Sequence, residues 1–172
     1  MNIEQIVAAL LAEGRLGGFD LNDKKYGDDD LMVGSIDPYQ LFRICHEMVD
    51  AMRDADDPIA QRTATDTVWM LDQCHNIEPK LPAIIRSVMN LQEAVAKALL
   101  VDRATLRMAQ AAGDVLEANA ILADAFATDV RPALAEVRAV RGQPADPYRA
   151  YLASGEEERR AAARVGGTAA SW

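Results

Sequence analysis

Asp20, Asp28, Asp30 and Asp72 are the residues whose type and spacing best suit chemistry in this chain. The first three lie in the run Gly-Gly-Phe-Asp-Leu-Asn-Asp-Lys-Lys-Tyr-Gly-Asp-Asp-Asp-Leu-Met-Val-Gly-Ser-Ile-Asp, from Gly17 to Asp37, which crowds carboxylates directly after a short apolar stretch. Two unit charges about 4 Å apart repel by roughly 1 kcal/mol in water and about 4 kcal/mol in a half-buried setting, so a folded cleft there favours a divalent cation. Asp28 and Asp30 stand two apart and can face the same way in an extended loop. Carboxylates are hard oxygen donors, suited to Mn²⁺ or Mg²⁺. A solvated loop with no ligand is the competing reading. An EF-hand calcium loop is excluded, because neither start point puts Gly at the sixth position or Glu at the twelfth.

The remaining chemistry-bearing residues support less. Cys45-His46 and Cys74-His75 form two Cys-His pairs, but adjacent residues on a helix point about 100° apart and the spacing matches no structural zinc class. His46 reads as a surface or helix-edge residue and His75 as a loop-stabilising hydrogen-bonding group. Lys24 and Lys25 neutralise the acidic run or contact a substrate; Tyr26 and Trp69 line a sugar site or, for Trp69, pack in the core. No phosphate-binding glycine loop and no Gly-x-Ser-x-Gly elbow occurs.

These side chains need elements to hold them. Asn2 caps a helix carrying Ile3, Ile6, Val7, Leu10 and Leu11, which Gly14 closes, and 16–21 reads as a short strand with the acidic run at its carboxyl end. Asp37-Pro38-Tyr39-Gln40 starts a second helix, with Gln40 placed to answer the capping Asp and Leu41, Phe42, Cys45, Met48, Val49 and Met52 facing the core. Residues 54–64 read as a solvated connection, with a short helical turn within it as the alternative, and 67–71 as a second strand ending at Asp72. From Pro79 the pattern is helical, with breaks at Gly113, around Asp129 to Pro132 and at Gly142, a short helix from Asp146-Pro147, a charged segment from Gly155 and a frayed end.

This order is the βα alternation of a parallel sheet followed by a helical extension. Two strands cannot make a barrel, which takes about 250 residues, so the expected fold is α/β: the carboxyl-terminal fragment of a TIM-type barrel at 1–78, a helical extension at 79–165 and a disordered tail at 166–172. The 172 residues, half of them apolar, suffice for a core. A net charge of −9 and a pI of about 4.7 argue against nucleic-acid and anionic-membrane partners. Two isolated cysteines, no signal-like start and no apolar run of about 20 residues lead to the expectation of a cytoplasmic protein.

The motifs Gly-Phe-Asp-Leu-Asn-Asp-Lys-Lys-Tyr-Gly-Asp-Asp-Asp-Leu, Gly-Ser-Ile-Asp-Pro-Tyr-Gln-Leu-Phe-Arg-Ile, Leu-Asp-Gln-Cys-His-Asn and Ala-Leu-Leu-Val-Asp-Arg-Ala occur in that order. From Asn2 to about Ser154 the chain thereby resembles the carboxyl-terminal part of the bacterial L-rhamnose isomerase and related sugar isomerase family. That resemblance implies a (β/α)₈ barrel interconverting an aldose and a ketose with two divalent cations, usually manganese, commonly as a tetramer joined partly through helical extensions. Family-like ligands fall on Asp28 and Asp30 at one ion and on Asp72 at the other. Asp20 stands where the family carries a His ligand, which changes the charge of the site. The family's further ligands, an upstream Glu, Asp and His, and a Lys near the sugar, come from strands absent here. The expected function is thus part of a metal-dependent isomerase, incomplete by itself, whose partners are a small sugar, the missing barrel units and further copies. The alternative is a noncatalytic helical assembly module with a solvated acidic loop.

Overall fold

The computed structural model describes residues 2–27, 29–73 and 78–166. Its elements run α1 (Ile3–Ala12), β1 (Gly18–Leu21), α2 (Pro38–Met52), α3 (Pro58–Asp66), β2 (Val68–Leu71), α4 (Lys80–Leu99), α5 (Arg103–Ala112), α6 (Val115–Ala127), α7 (Arg131–Val140), α8 (Pro147–Ala153) and α9 (Glu156–Gly166). The two strands pair in parallel, with Gly18 opposite Val68 and Leu21 opposite Leu71. Backbone bonds from Val68 N to Gly17 O (3.1 Å) and from Asp72 N to Leu21 O (3.0 Å) extend the ladder at both ends. Gly18 eases this pairing, since a Cβ there would crowd the Val68 carbonyl oxygen at 3.1 Å.

A parallel strand pair needs a crossover, and α2 with α3 supplies it. Asp37 caps α2 by accepting from Gln40 N at 2.9 Å, and Pro38 occupies the first turn, as the sequence signals. The Gln40 side chain does not answer back: its Nε2 donates instead to Glu4 on α1, 2.8 Å away, where Arg43 also pairs with the buried carboxylate at 3.0 Å. Tertiary pairing with α1 has displaced the local reciprocal cap.

α2 is buried on two faces. Leu41, Phe42, Cys45 and Val49 join Leu21, Val33, Ala94, Ala98, Val101, Leu106 and Ala125 in one core, against which Phe19, Trp69 and Leu71 also pack. Ile44, Met48 and Ala51 join Val7 and Leu11 of α1 and Ala60 and Ala64 of α3 in a second. The first core therefore runs from the sheet through α2 into α4, α5 and α6 without a seam at residue 79. Trp69 packs against Phe19 with ring centroids 4.8 Å apart, in keeping with its reading as a core residue.

Three expectations need correction. His46 is buried, with 7% of its surface exposed, because partners on both faces of α2 leave no helix edge in water there. Burial lowers its pKa, which keeps the ring neutral, and its Nδ1 has no hydrogen-bond partner among the described residues. Met52, at the end of the stripe, is 38% exposed because the core stops short of the last turn. Residues 58–66 form a helix instead of a solvated connection: Asp57 accepts from Ala60 N at 2.9 Å, Pro58 follows it, and the small Ala60 and Ala64 fit against α1 and α2. The breaks at Gly113 and Gly142, both at positive φ, and the helix after Asp146 fall where the sequence puts them.

The carboxyl end of α2 is clamped by two arginines of α5. Arg103 Nε binds the Asp50 carboxylate, while its Nη2 and Nη1 donate to the carbonyl oxygens of Asp50 (2.9 Å) and Arg53 (3.1 Å). Arg107 reaches Asp50 at 3.2 Å and Asp54 at 2.6 Å. The guanidinium thus serves the Arg53 carbonyl, adds a second donor to the Asp50 carbonyl, which already accepts from Arg53 N at 3.2 Å, and sits at the negative pole of the dipole. Burial works against ionisation of Asp50, but bonds from Arg103 and Arg107 prevail and hold its carboxyl below the ordinary value. Arg103→Ala should lower stability by about 2 kcal/mol in urea denaturation, since it leaves a half-buried carboxylate and the Arg53 carbonyl short of donors.

Glu47 lies on the same helix. Burial, then the neighbouring charges of Asp50 and Glu4, push its carboxyl from 4.5 up to about 7, with Arg43 opposing. A folded-state pKa above the unfolded value means stability fully present below about pH 4.5 and lost as pH rises through about 7. Glu47→Gln should remove that decline and leave the variant more stable than the parent at pH 8 by roughly 2 kcal/mol, read from denaturation midpoints across the pH range.

Candidate functional site

Along β1 and β2 exposure alternates. Phe19, Leu21, Trp69 and Leu71 face α2, while Gly18, Asp20, Val68 and Met70 face away and are open to solvent. Val68 and Met70 are 55% and 47% exposed, an apolar surface that a two-stranded sheet leaves bare. Asp72 is also exposed and continues the outer face one step beyond Met70. In this register it stands opposite Asn22, two residues past Asp20, which places the two α-carbons roughly 8 Å apart from strand spacing and rise. Among the described residues neither carboxylate accepts a hydrogen bond or forms an ion pair. The carboxyl edge thus presents two unengaged carboxylates on one side.

Asp30 is held differently. It has a positive φ of 39°, and its Oδ1 accepts from Asn22 Nδ2 at 3.0 Å, which ties the acidic loop to the residue following β1. It lines a cleft of about 540 Å³ with Asn22, Asp23, Lys24 and Gln40. Asp28, Cys74 and His75, with the tail 167–172, lie outside the described residues. Among the described residues no three His, Cys, Asp or Glu side chains gather closely enough to hold a metal. Asp20 and Asp72 share a face, then, and Asp30 is tied to the end of β1 through Asn22.

The acidic loop is not simply a set of mutually repelling charges. Asp23 pairs with Leu31 in an antiparallel bridge, and its Oδ2 accepts from the backbone N–H groups of Ile36 (2.6 Å) and Asp37 (3.0 Å). Asp29 accepts from Lys25 N (3.1 Å) and Tyr26 N (3.0 Å), and these bonds hold its carboxyl below its usual range. The loop is pinned to α4 at Val33, buried in the core, whose carbonyl accepts from Asn90 Nδ2 at 2.8 Å. Gly34 follows at φ 73°, with Asn90 so near that a Cβ would meet its Cβ at 3.0 Å. After β2, Gln73 Nε2 donates to the buried Ser87 hydroxyl of α4, and its own Oε1 is buried with no hydrogen-bond partner among the described residues. Asn22, Asp23, Asp29 and Gln73 escaped the sequence reading. For Asp23 and Asp29 the signal was available, since Asp in a loop commonly accepts from nearby backbone amides.

Lys25 lies over the ring of Tyr26, 5.4 Å from its centroid, and Tyr26 is exposed; both extend from the loop tip. Cys45 is fully buried, and burial pushes its thiol up to about 12, so it is inert. Among the described residues no helix is long and apolar enough to cross a membrane.

The elements described so far define a parallel βα unit with acids on its carboxyl edge and a helical layer behind it. No protein-family model matches the chain. Two curated relatives do: a probable sugar isomerase of Mesorhizobium japonicum is 43% identical over 171 residues, covering 99% of this chain and 38% of that protein. A probable sugar isomerase of Rhizobium meliloti is 45% identical over 164 residues, covering 95% of this chain and 37% of that protein. The chain spans a little over a third of the length of these relatives, and the likeness along nearly all of its own length supports a sugar isomerase family.

If Asp23 holds the loop, Asp23→Ala should free the Ile36 and Asp37 amides, costing about 1–2 kcal/mol and speeding their exchange in hydrogen–deuterium measurements, while Asp20→Ala should leave both unchanged.

Proposed function

We propose that this chain supplies the carboxyl-terminal βα units of a metal-dependent aldose–ketose isomerase with a (β/α)₈ barrel, acting on L-rhamnose or a related sugar. Asp20, Asp28, Asp30 and Asp72 are its ligands to divalent cations, Mn²⁺ by preference, two in the complete site. The observation that carries this reading is the parallel register that sets Asp20 and Asp72 side by side on one open face, in a chain over 40% identical to probable sugar isomerases. The bare Val68 and Met70 on that face suit the inward side of a larger sheet, and the open strand edges suit neighbours from the rest of such a protein.

The donor set fits a hard cation in kind, with oxygen ligands throughout, and falls short of a full coordination shell among the described residues. When bound, divalent ions hold sugar oxygens and polarise a carbonyl while hydrogen passes between adjacent carbons. The work of this chain's residues is to position. Asp20 and Asp72 direct negative charge to the carboxyl edge, Asn22 orients Asp30 toward it, and Asp23 and Asn90 fix the loop that carries them. No proton-transferring group is assigned here, and the chain is proposed to turn over sugar only with the complementary barrel units, as a homo-oligomer.

Titration calorimetry with Mn²⁺ tests the metal part. The parent chain should bind, and Asp28→Asn/Asp30→Asn together with Asp72→Asn should weaken binding by about tenfold or more; equal affinity would remove the metal assignment. Turnover of L-rhamnose by the isolated chain would contradict the claim that it is incomplete.

A second reading, a helical assembly module, draws on the apolar side chains that α6 and α7 leave in water: Leu116 is 84% exposed and Val140 89%. Light scattering across concentrations, with and without Mn²⁺, separates the two. Association that ignores the metal and is abolished by Leu116→Ser/Val140→Ser favours assembly.

A further inference from the structure

A groove of about 740 Å³ lies between α4 and α7, bordered by the start of α8, a volume typical of small-molecule sites. Pro82, Ala83 and Met89 give it an apolar floor. Its rim carries four guanidinium groups, Arg86, Arg131, Arg138 and Arg149, in a chain whose net charge is −9. The carboxylates on the lining are Glu78, Glu93 and Asp146, and Arg131 is paired with Asp129, so the groove is about neutral in a chain that is otherwise strongly acidic.

The four arginines are not equivalent. Arg131 is taken up by a two-pronged pairing with Asp129, at 2.7 and 2.9 Å. Arg138 is committed to Gln92 Oε1 at 2.6 Å and to the Ala145 carbonyl at 3.1 Å. Among the described residues Arg86 and Arg149 form no ion pair and donate no side-chain hydrogen bond. Each lies against the ring of Tyr148, 5.5 and 6.0 Å from its centroid, a contact that orients a guanidinium while leaving its in-plane N–H groups available. Asp146 is turned to the backbone: its Oδ1 accepts from the Arg149 N–H at 2.9 Å as the cap of α8, and among the described residues it forms no ion pair with the Arg149 guanidinium.

We propose that this groove binds a phosphate group, free or carried on a small organic ester, through the Arg86 and Arg149 guanidinium groups positioned by Tyr148. Planar forks of N–H donors match phosphate oxygens two at a time, and a doubly charged anion is the ligand that two unpaired guanidiniums attract most strongly. The apolar floor accommodates the carbon body of an ester. This site is separate from the carboxylates at the strand ends and does not depend on the metal assignment.

Calorimetry on the full chain with inorganic phosphate, against chloride at matched ionic strength, tests it, with fructose 1-phosphate as the second probe. Saturable binding of either is expected, and the tighter of the two identifies the source of the phosphate. Arg86→Gln/Arg149→Gln should weaken that binding by about tenfold or more, while Arg62→Gln, whose arginine pairs with Asp66 on α3, should not. Circular dichroism checks that each variant is folded; if the double variant is not, the Nε–H resonances of the unaltered chain take its place, and those of Arg86 and Arg149 should shift with phosphate. Heats no larger than those of chloride, undiminished binding by the folded double variant, or shifts confined to other arginines would overturn the proposal.

Discussion

Phe42 and Cys45, wholly withdrawn from water on α2, are the wedge on which the rest of the molecule is assembled. In one cluster they meet both the side chains that β1 and β2 turn inward and the small Ala94 and Ala98 of α4, which allow that helix to approach closely. Full burial of a phenylalanine contributes about 2–3 kcal/mol. The geometric effect is larger than the energy: with α2 fixed, the two strands have only one face to bury. Asp20 and Asp72 are thereby left on the other, and their common orientation follows from hydrophobic packing elsewhere.

The acidic loop solves its charge problem mostly with backbone. Asp23 and Asp29 spend their oxygens on amide hydrogens, and Val33 with Asn90 fastens the far limb of the loop to α4. What remains is divided into carboxylates that build the loop and carboxylates that stay available at the sheet's end. A cluster that reads as uniform in composition is thus differentiated by which of its members lie within reach of unpaired N–H groups.

Local signals were legible wherever the deciding interaction is short-range in sequence. The Asp-Pro start of α2, the start of α8, the breaks at Gly113 and Gly142 and both strands followed from caps, dihedral preferences and runs of apolar residues. Illegible features depend on distant partners. His46 looks like an edge residue until α1 and α3 on one face and the sheet and α4 on the other leave α2 no edge; Gln40 looks like a cap until Glu4 claims it. α3 was obscured by its polarity, since its buried surface is two alanines that carry little hydrophobic signal. Of the candidate site residues, the position of Asp20 and Asp72 at strand ends was readable, whereas the tie from Asn22 to Asp30 needs the loop to fold back first.

Enclosure of Cys45 also gives the molecule an internal gauge. A thiol with no access to solvent and with ionisation deferred to about 12 cannot react with an alkylating reagent while α2 remains seated. It becomes nucleophilic only when the helix lifts from the strands and from α4 together. Its rate of modification therefore reports how much of the time the central wedge stands open, without any label having to be introduced.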